Sequence, residues 1–262
     1  MSRQNYYRGR RRRQRQGFDE ELVVELVKQE RKVQSKLGGR KLRHRLKQEL
    51  EEAGVQLGRD RFFEVLRRQG LLIERKRWGK KTTQSRHGFR VYGNRLKELE
   101  REGPHQAWVS DLTYLATDEG FVYLSVVQDW NSRKAVGWAC HDGLEAEGCL
   151  RALRQALRQL PAGKQPVHHS DRGIQYCCKA YVQRLEKRGL TISMTEENHC
   201  YENAQAERLI GILKQEYGLG QRFRTKAQAR EAVEEAIGLY NTRRPHLSLN
   251  YETPEAVHRR AA

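Results

Sequence analysis

The sequence predicts an α/β protein in which a mixed five-stranded sheet with flanking helices is preceded by an all-α region. Three observations carry this. Apolar residues recur at helical spacing up to about residue 70, and strand-like runs replace them after Pro104. In the second half the runs come in the order of three strands, then helix and strand in alternation. Charge is also divided unevenly. Residues 1–104 hold 30 basic and 14 acidic side chains and residues 105–262 hold 21 and 19, so the front accounts for +16 of the chain's +18. Such asymmetry points to a polyanion-binding region joined to a chemically different one. Nucleic acid is the default polyanion, because each neutralised phosphate releases a counterion.

Composition excludes several classes. With 37% hydrophobic residues the chain can build a core, but no apolar run approaches the ~20 residues that span a bilayer. The Arg-rich start is followed by no apolar segment of a secretory signal, so a cytoplasmic, nucleoid-associated protein is expected. Cys140, Cys149, Cys177, Cys178 and Cys200 are odd in number, and no C-x-x-C occurs. Neither a disulfide framework nor a zinc knuckle is supported, and reduced thiols are expected.

In chain order, residues 1–17 carry seven arginines with scarcely any apolar side chain and read as a disordered basic tail. From Asp19 the pattern is helical, with Leu22, Val23, Leu26 and Val27 on one side. Gly38-Gly39 breaks it, and Leu42, Leu46 and Leu50 stripe a second helix that Gly54 ends. A third starts near Asp60, which can cap it. Phe62, Phe63 and Leu66 form its inner face, while Arg59, Arg61, Arg67 and Arg68 point out. Helix, short Gly-containing turn and Arg-studded helix match a helix-turn-helix over residues 18–73, whose second helix would meet DNA. Residues 74–106, with Arg75, Lys76 and Arg77, read as a basic linker that could track a DNA backbone. Trp78 and Tyr92 are expected to pack there rather than stack on bases.

Strands follow at 107–117, 121–127 and 134–139, joined by tight turns into an antiparallel meander. A helix at about 145–160 has Leu150, Leu153 and Leu157 at helical spacing. Then come a strand ending at Asp171, a helix through Tyr181 and Leu185, a strand at 190–194 and two closing helices. The order βββαβαβα is the plan of an RNase H-like fold, expected over 107–218, with a helical extension over 219–262.

In that plan the first strand is central and the fourth runs beside it. Asp111 lies midway along the first and Asp171 ends the fourth, so both can reach one sheet edge. Glu207 on the helix after the fifth strand is the third candidate, and Asn203, Glu207, Ile210 and Lys214 share a stripe of that helix. Three clustered carboxylates repel one another, and a divalent cation is the usual resolution. Hard oxygen donors and phosphate chemistry favour Mg²⁺ or Mn²⁺, two ions in an in-line phosphoryl transfer. His168 and His169 beside Asp171 have no matching Cys/His pair at zinc spacing and read as packing or phosphate contacts.

Trp108-Val109-Ser110-Asp111-Leu112-Thr113-Tyr114, His169-Ser170-Asp171-Arg172-Gly173-Ile174-Gln175-Tyr176 and Asn203-Ala204-Gln205-Ala206-Glu207-Arg208 together resemble the DDE integrase core. Thirty-five residues separate Asp171 from Glu207. With the ending Tyr240-Asn241-Thr242-Arg243-Arg244-Pro245-His246-Leu247-Ser248-Leu249 and Thr253-Pro254, the chain is similar to the OrfB-type transposases of bacterial insertion sequences in the IS-three group. The resemblance runs from about residue 36 onward. It implies that Asp111, Asp171 and Glu207 are the metal-binding catalytic triad. Lys214 would be a contact to the transposon end, and Asn203 is expected with it on the DNA-binding side. It further implies end cleavage and 3′-OH strand transfer, a homo-oligomer holding two ends, and frequent fusion to an upstream-frame DNA-binding partner. Glu202 and the Leu209-Ile210 pair depart from the pattern, which affects only fine positioning. The rival reading is a DNA-binding regulator on a non-catalytic integrase-like scaffold.

Overall fold

The computed structural model describes residues 3–73, 88–196 and 200–260, without the side chains of 3–6, 8–16, 200 and 201. The chain forms two compact units, residues 1–77 and 78–262. Among the described residues, no helix is long and apolar enough to cross a membrane.

The first unit is all α: α1 Arg3–Val33, α2 Gly39–Arg45, α3 Lys47–Glu52 and α4 Arg59–Arg68. Val23, Val27, Leu42, Leu46, Leu50, Phe62, Val65 and Leu66 close one core. Helix α1 runs through the stretch read from sequence as a disordered tail. Arg and Gln are good helix formers, and a helix anchored by Val23 and Val27 propagates into them past Gly9 and Gly17 at about 1 kcal/mol per glycine. The second expected helix is instead two. Leu46, at φ −90° and ψ 4°, ends α2 and starts α3, and that bend brings Leu42, Leu46 and Leu50 into the same core. At α4 the cap is the extended Gly58, and Asp60 lies inside the first turn, where it suits the helix dipole. Its buried face is Phe62, Val65 and Leu66. Phe63 is half-buried and packs edge-on to Phe62 at 6.3 Å.

The second unit has β1 Ala107–Thr117, β2 Gly120–Asp129 and β3 Ala135–His141, then α5 Ala146–Gln159, β4 Val167–Ser170, α6 Ile174–Cys177, α7 Lys179–Glu186 and β5 Ile192–Met194. Helices α8 Ala204–Glu216, α9 Lys226–Thr242 and α10 Pro254–Arg259 complete it. The sheet order is β3-β2-β1-β4-β5, with β1, β2 and β3 antiparallel and β1, β4 and β5 parallel. A mixed five-stranded RNase H-like sheet is thus present, with β1 central. The parallel step from the meander to β4 needs a crossover, which α5 supplies. Side chains alternate faces along each strand, so neighbours Val126 and Val127 feed different cores. One holds α8 and α9 against Leu115, Leu124 and Val126; the other holds α5, Tyr176, α7 and β5 against Trp108 and Val127.

Three differences from the sequence reading stand out. The helix through Tyr181 is preceded by the short α6, the two separated at the extended Cys178. A further helix, α10, is capped by Thr253, whose hydroxyl accepts from Ala256 N at 3.3 Å. Residues 88–106, expected within a linker, pack on the sheet unit. Tyr92 joins its core, Arg95 N donates to Ser193 Oγ at 2.9 Å, and the Arg101 guanidinium lies 4.3 Å from the Trp130 ring centre.

Candidate active site

Strand register brings two of the acids together. Ser110 on β1 pairs with Ser170 on the parallel β4, so the next residues, Asp111 and Asp171, leave the pair side by side on strands about 4.8 Å apart. Asp111 Oδ1 accepts from Leu112 N at 2.7 Å, and Asp171 Oδ1 accepts from Gly173 N at 3.0 Å.

Helix α8 brings the third. Asn203 at its N-cap is buried, and its amide donates to Ser110 O at 3.0 Å. Glu207 lies one turn further on the same side, exposed at the rim. Gln205 Nε2 donates to Trp130 O at 3.0 Å, and its Oε1 accepts from Arg101 at 3.1 Å. Ser110 is therefore a hub: its carbonyl holds α8, and its hydroxyl meets His168 Nε2 at 2.9 Å.

Electrostatics tie the acids together. The Asp111 carboxyl is pushed well up by burial, then by Asp171 and by Glu207, against the Leu112 N–H and Lys214. Glu207 is raised by partial burial and by Asp171. Lys214 is lowered by burial, which Asp111 opposes, and its ammonium lies 4.9 Å from the Tyr114 ring centre. The pocket is thus anionic, with hard oxygen donors, a chemistry that fits a divalent ion such as Mg²⁺ or Mn²⁺. Among the described residues, no three His, Cys, Asp or Glu side chains are gathered at metal-holding spacing. Asp111 feels the charges of Asp171 and Glu207, and Glu207 that of Asp171, without the three closing into a ligand cluster.

Other expected residues distribute differently. Asn203, expected on the DNA side, points inward because the first turn of α8 needs an anchor on β1. His168 and His169 are core residues. His168 Nε2 also meets the Tyr181 hydroxyl at 2.9 Å, and His169 Nδ1 meets Ser193 Oγ at 2.8 Å. Burial first, and for His168 also His169, depresses them to about 3 and about 4. On α4, Arg59 and Arg67 are exposed, whereas Arg61 pairs with Glu20 and Glu64, and Arg68 with Glu20. Arg75, Lys76, Arg77 and Trp78 lie outside the described residues.

Two family models, each described as an integrase core domain, match residues 101–200 and 188–254. An insertion element IS600 uncharacterized 31 kDa protein from Shigella sonnei is 36% identical over 92% of this chain and 88% of its own length. Transposase InsF for insertion sequence IS3A from Escherichia coli is 35% identical over 80% and 74%. The chain belongs to the IS3-type transposases of the DDE integrase superfamily. The chain is similar in fold to a chain of a simian T-cell lymphotropic virus intasome solved with PP2A regulatory subunit B56 gamma. That match has a TM-score of 0.51 at 14% identity and covers 77% of this transposase and 67% of that chain.

The residues that the sequence reading missed in this transposase are Gln205, Trp130 and Arg101, which seat α8. A polar residue two positions before an expected catalytic acid was the available signal. Its partners, Trp130 on the β2–β3 turn and Arg101 ahead of β1, are not legible without the fold.

Proposed function

We propose that this chain cuts transposon ends by hydrolysis and joins the freed 3′-OH to target DNA at one site, with Asp111, Asp171 and Glu207 as its acids. The single observation that supports this most is the β1–β4 register, which sets Asp111 and Asp171 side by side; the Asp111 carboxyl there is raised first by burial and then by Asp171 and Glu207. In the first step a water oxygen bonds to phosphorus and the bond to the 3′ oxygen breaks, leaving a 3′-OH. In the second that oxygen bonds to a target phosphorus and displaces the target's own 3′ oxygen, so no covalent protein intermediate is needed. Asp111, Asp171 and Glu207 would hold two Mg²⁺ or Mn²⁺ ions, which when bound supply Lewis acidity for the attacking and leaving oxygens. Lys214, beside Asp111, offsets part of the acid charge and presents an ammonium to the phosphodiester.

Arg59 and Arg67 on α4, with the basic stretch at Arg75, Lys76 and Arg77, carry the phosphate-binding role in this reading. Two copies would hold two ends, and an upstream-frame DNA-binding product would complete the enzyme. The test is Asp171→Asn, which keeps the shape and removes one ligand charge. On DNA carrying the element's flanks, the variant should bind in gel shift about as well as the parent and lose both cleavage and strand transfer in Mg²⁺. Joining at the parental rate would place the chemistry elsewhere. A parent that binds the flanks without cutting them would favour the regulator reading.

A further inference from the structure

We propose that the C-terminal segment 240–249 is a clamp on the far end of α8, with Arg244 as a positioning residue for Glu207 and Lys214. The inference rests on the assignment of Glu207 to the metal-holding acids.

Helix α8 carries Glu207 in its first turn and Lys214 in its last. Its near end is fixed by Asn203 and Gln205. Its far end at Glu216 is nine residues from Glu207, roughly 13 Å along the axis. There Arg244 donates to both oxygens of Glu216, Nε to Oε2 at 2.8 Å and an Nη to Oε1 at 2.9 Å. The Arg244 side chain is 3% exposed, its other Nη lies 2.9 Å from His246 Nε2, and its guanidinium is 5.9 Å from the Tyr240 ring centre.

The clamp is itself footed on the strands. The Tyr240 hydroxyl donates to Arg133 O at 3.0 Å and accepts from Gln128 Nε2 at 2.9 Å. The Asn241 amide accepts from Ala135 N at 2.9 Å and donates to Ala135 O at 3.0 Å, reproducing a backbone pairing at the first residue of β3. From β3 the ladder runs through β2 to β1 and Asp111. One end of α8 is thus referenced directly to β1, and the other through the clamp and the meander.

A buried ion pair adds little net stability over apolar packing of the same volume. A planar bidentate fork, however, fixes direction, which a lysine's point charge cannot. Without the fork, α8 would keep its hydrophobic seat but lose the reference that fixes its tilt and rotation. Glu207 would then miss its place opposite Asp171.

The experiment is a Mn²⁺ titration of the full-length chain, reading free Mn²⁺ by electron paramagnetic resonance, in a double-mutant cycle of Arg244→Lys and Glu207→Gln. Arg244→Lys should weaken Mn²⁺ binding measurably but by less than the roughly 10-fold that loss of a ligand's direct hydrogen-bond partner brings, because it acts on Glu207 through Glu216 and α8. In the Glu207→Gln background it should add nothing. An unchanged affinity for Glu207→Gln alone overturns both the acid assignment and this inference. A weakened Glu207→Gln beside an unaffected Arg244→Lys overturns the clamp and leaves the acid assignment standing. Equal weakening by Arg244→Lys in both backgrounds also overturns it, because general loosening does that. If Arg244→Lys does not fold, Glu216→Gln takes its place in the cycle. If that also unfolds, the segment is a core element and the positioning role is refuted.

Discussion

Gly137→Ala tests whether the sheet that carries Asp111 depends on close backbone contact with its crossover helix. Gly137 lies on β3 against α5. An added Cβ would overlap the Ala152 carbonyl oxygen, 2.9 Å from Ala156 N and 3.0 Å from Ala156 Cβ. Ordinary contact is about 3.5–4.0 Å, so α5 must retreat by roughly 1 Å or more to clear the Ala152 oxygen, and backbone atoms cannot swing aside as a side chain would. A gap of that size forfeits about half of each contact along the row Cys149, Ala152, Leu153 and Ala156. Overpacking of this kind costs about 1–3 kcal/mol, and the upper end applies here. The smaller unfolded-state entropy of alanine returns about 0.5–1 kcal/mol, for a net loss of about 2 kcal/mol. For a unit of this size that lowers Tm by roughly 4–8 °C. Gly211→Ala is the control: it lies inside α8 with open space at its Cβ, and should raise stability by about 0.5–1 kcal/mol. Both are read by calorimetry on the full chain. A Gly137→Ala protein melting at or above the parent would refute the close-contact argument.

Acid should destabilise the sheet unit in a defined window. His168, His169 and His258 are buried, and burial first of all holds their folded values at about 3, about 4 and about 4. As pH falls below about 6.5 the unfolded chain takes up protons that the folded one refuses. The stability these groups contribute is therefore complete above 6.5 and is lost progressively toward pH 4. Urea midpoints at pH 7.5 and 5.0 that coincide would contradict this. On α4, Arg67→Ala should weaken binding to a random duplex and reduce the salt slope by about 1, whereas Arg61→Ala should act mainly on stability through Glu20 and Glu64. Gel shifts across a KCl series separate them, and equal salt slopes for the two variants would remove the distinction.

The central strand was legible because 107–117 is bounded by Pro104 and by a tight turn at Gly120, and β2 and β3 follow with equally short turns. Asp111 and Asp171 could be paired from sequence because a parallel β1–β4 neighbourhood puts the residues after Ser110 and Ser170 side by side. Asn203, expected on the DNA-binding side, is buried against β1 in the fold, and the helical stripe could not show this. A helical stripe gives the side of a helix on which residues lie, not whether that side meets solvent or a strand carbonyl. The bend at Leu46 escaped for a similar reason, since Leu42, Leu46 and Leu50 fit one continuous helix equally well. Only the demand that all three reach one core with Phe62 and Val65 breaks the tie.

The same reasoning explains why the C-terminal signature carried no chemical meaning in the sequence. Tyr240, Asn241, Arg244 and His246 are polar or aromatic residues near the end of the chain, a composition equally consistent with a solvated surface. In the fold all four are buried; Tyr240, Asn241 and Arg244 reach groups on elements far away in sequence, Gln128, Ala135 and Glu216, and His246 backs Arg244. Buried polar groups must be paired, so a run of them behind an apolar helix implies distant partners even when those partners cannot be named. The run is best read as a fastener whose partners lie on whichever elements must be held in register. In this transposase those elements are the meander and α8, the two that carry Asp111 and Glu207.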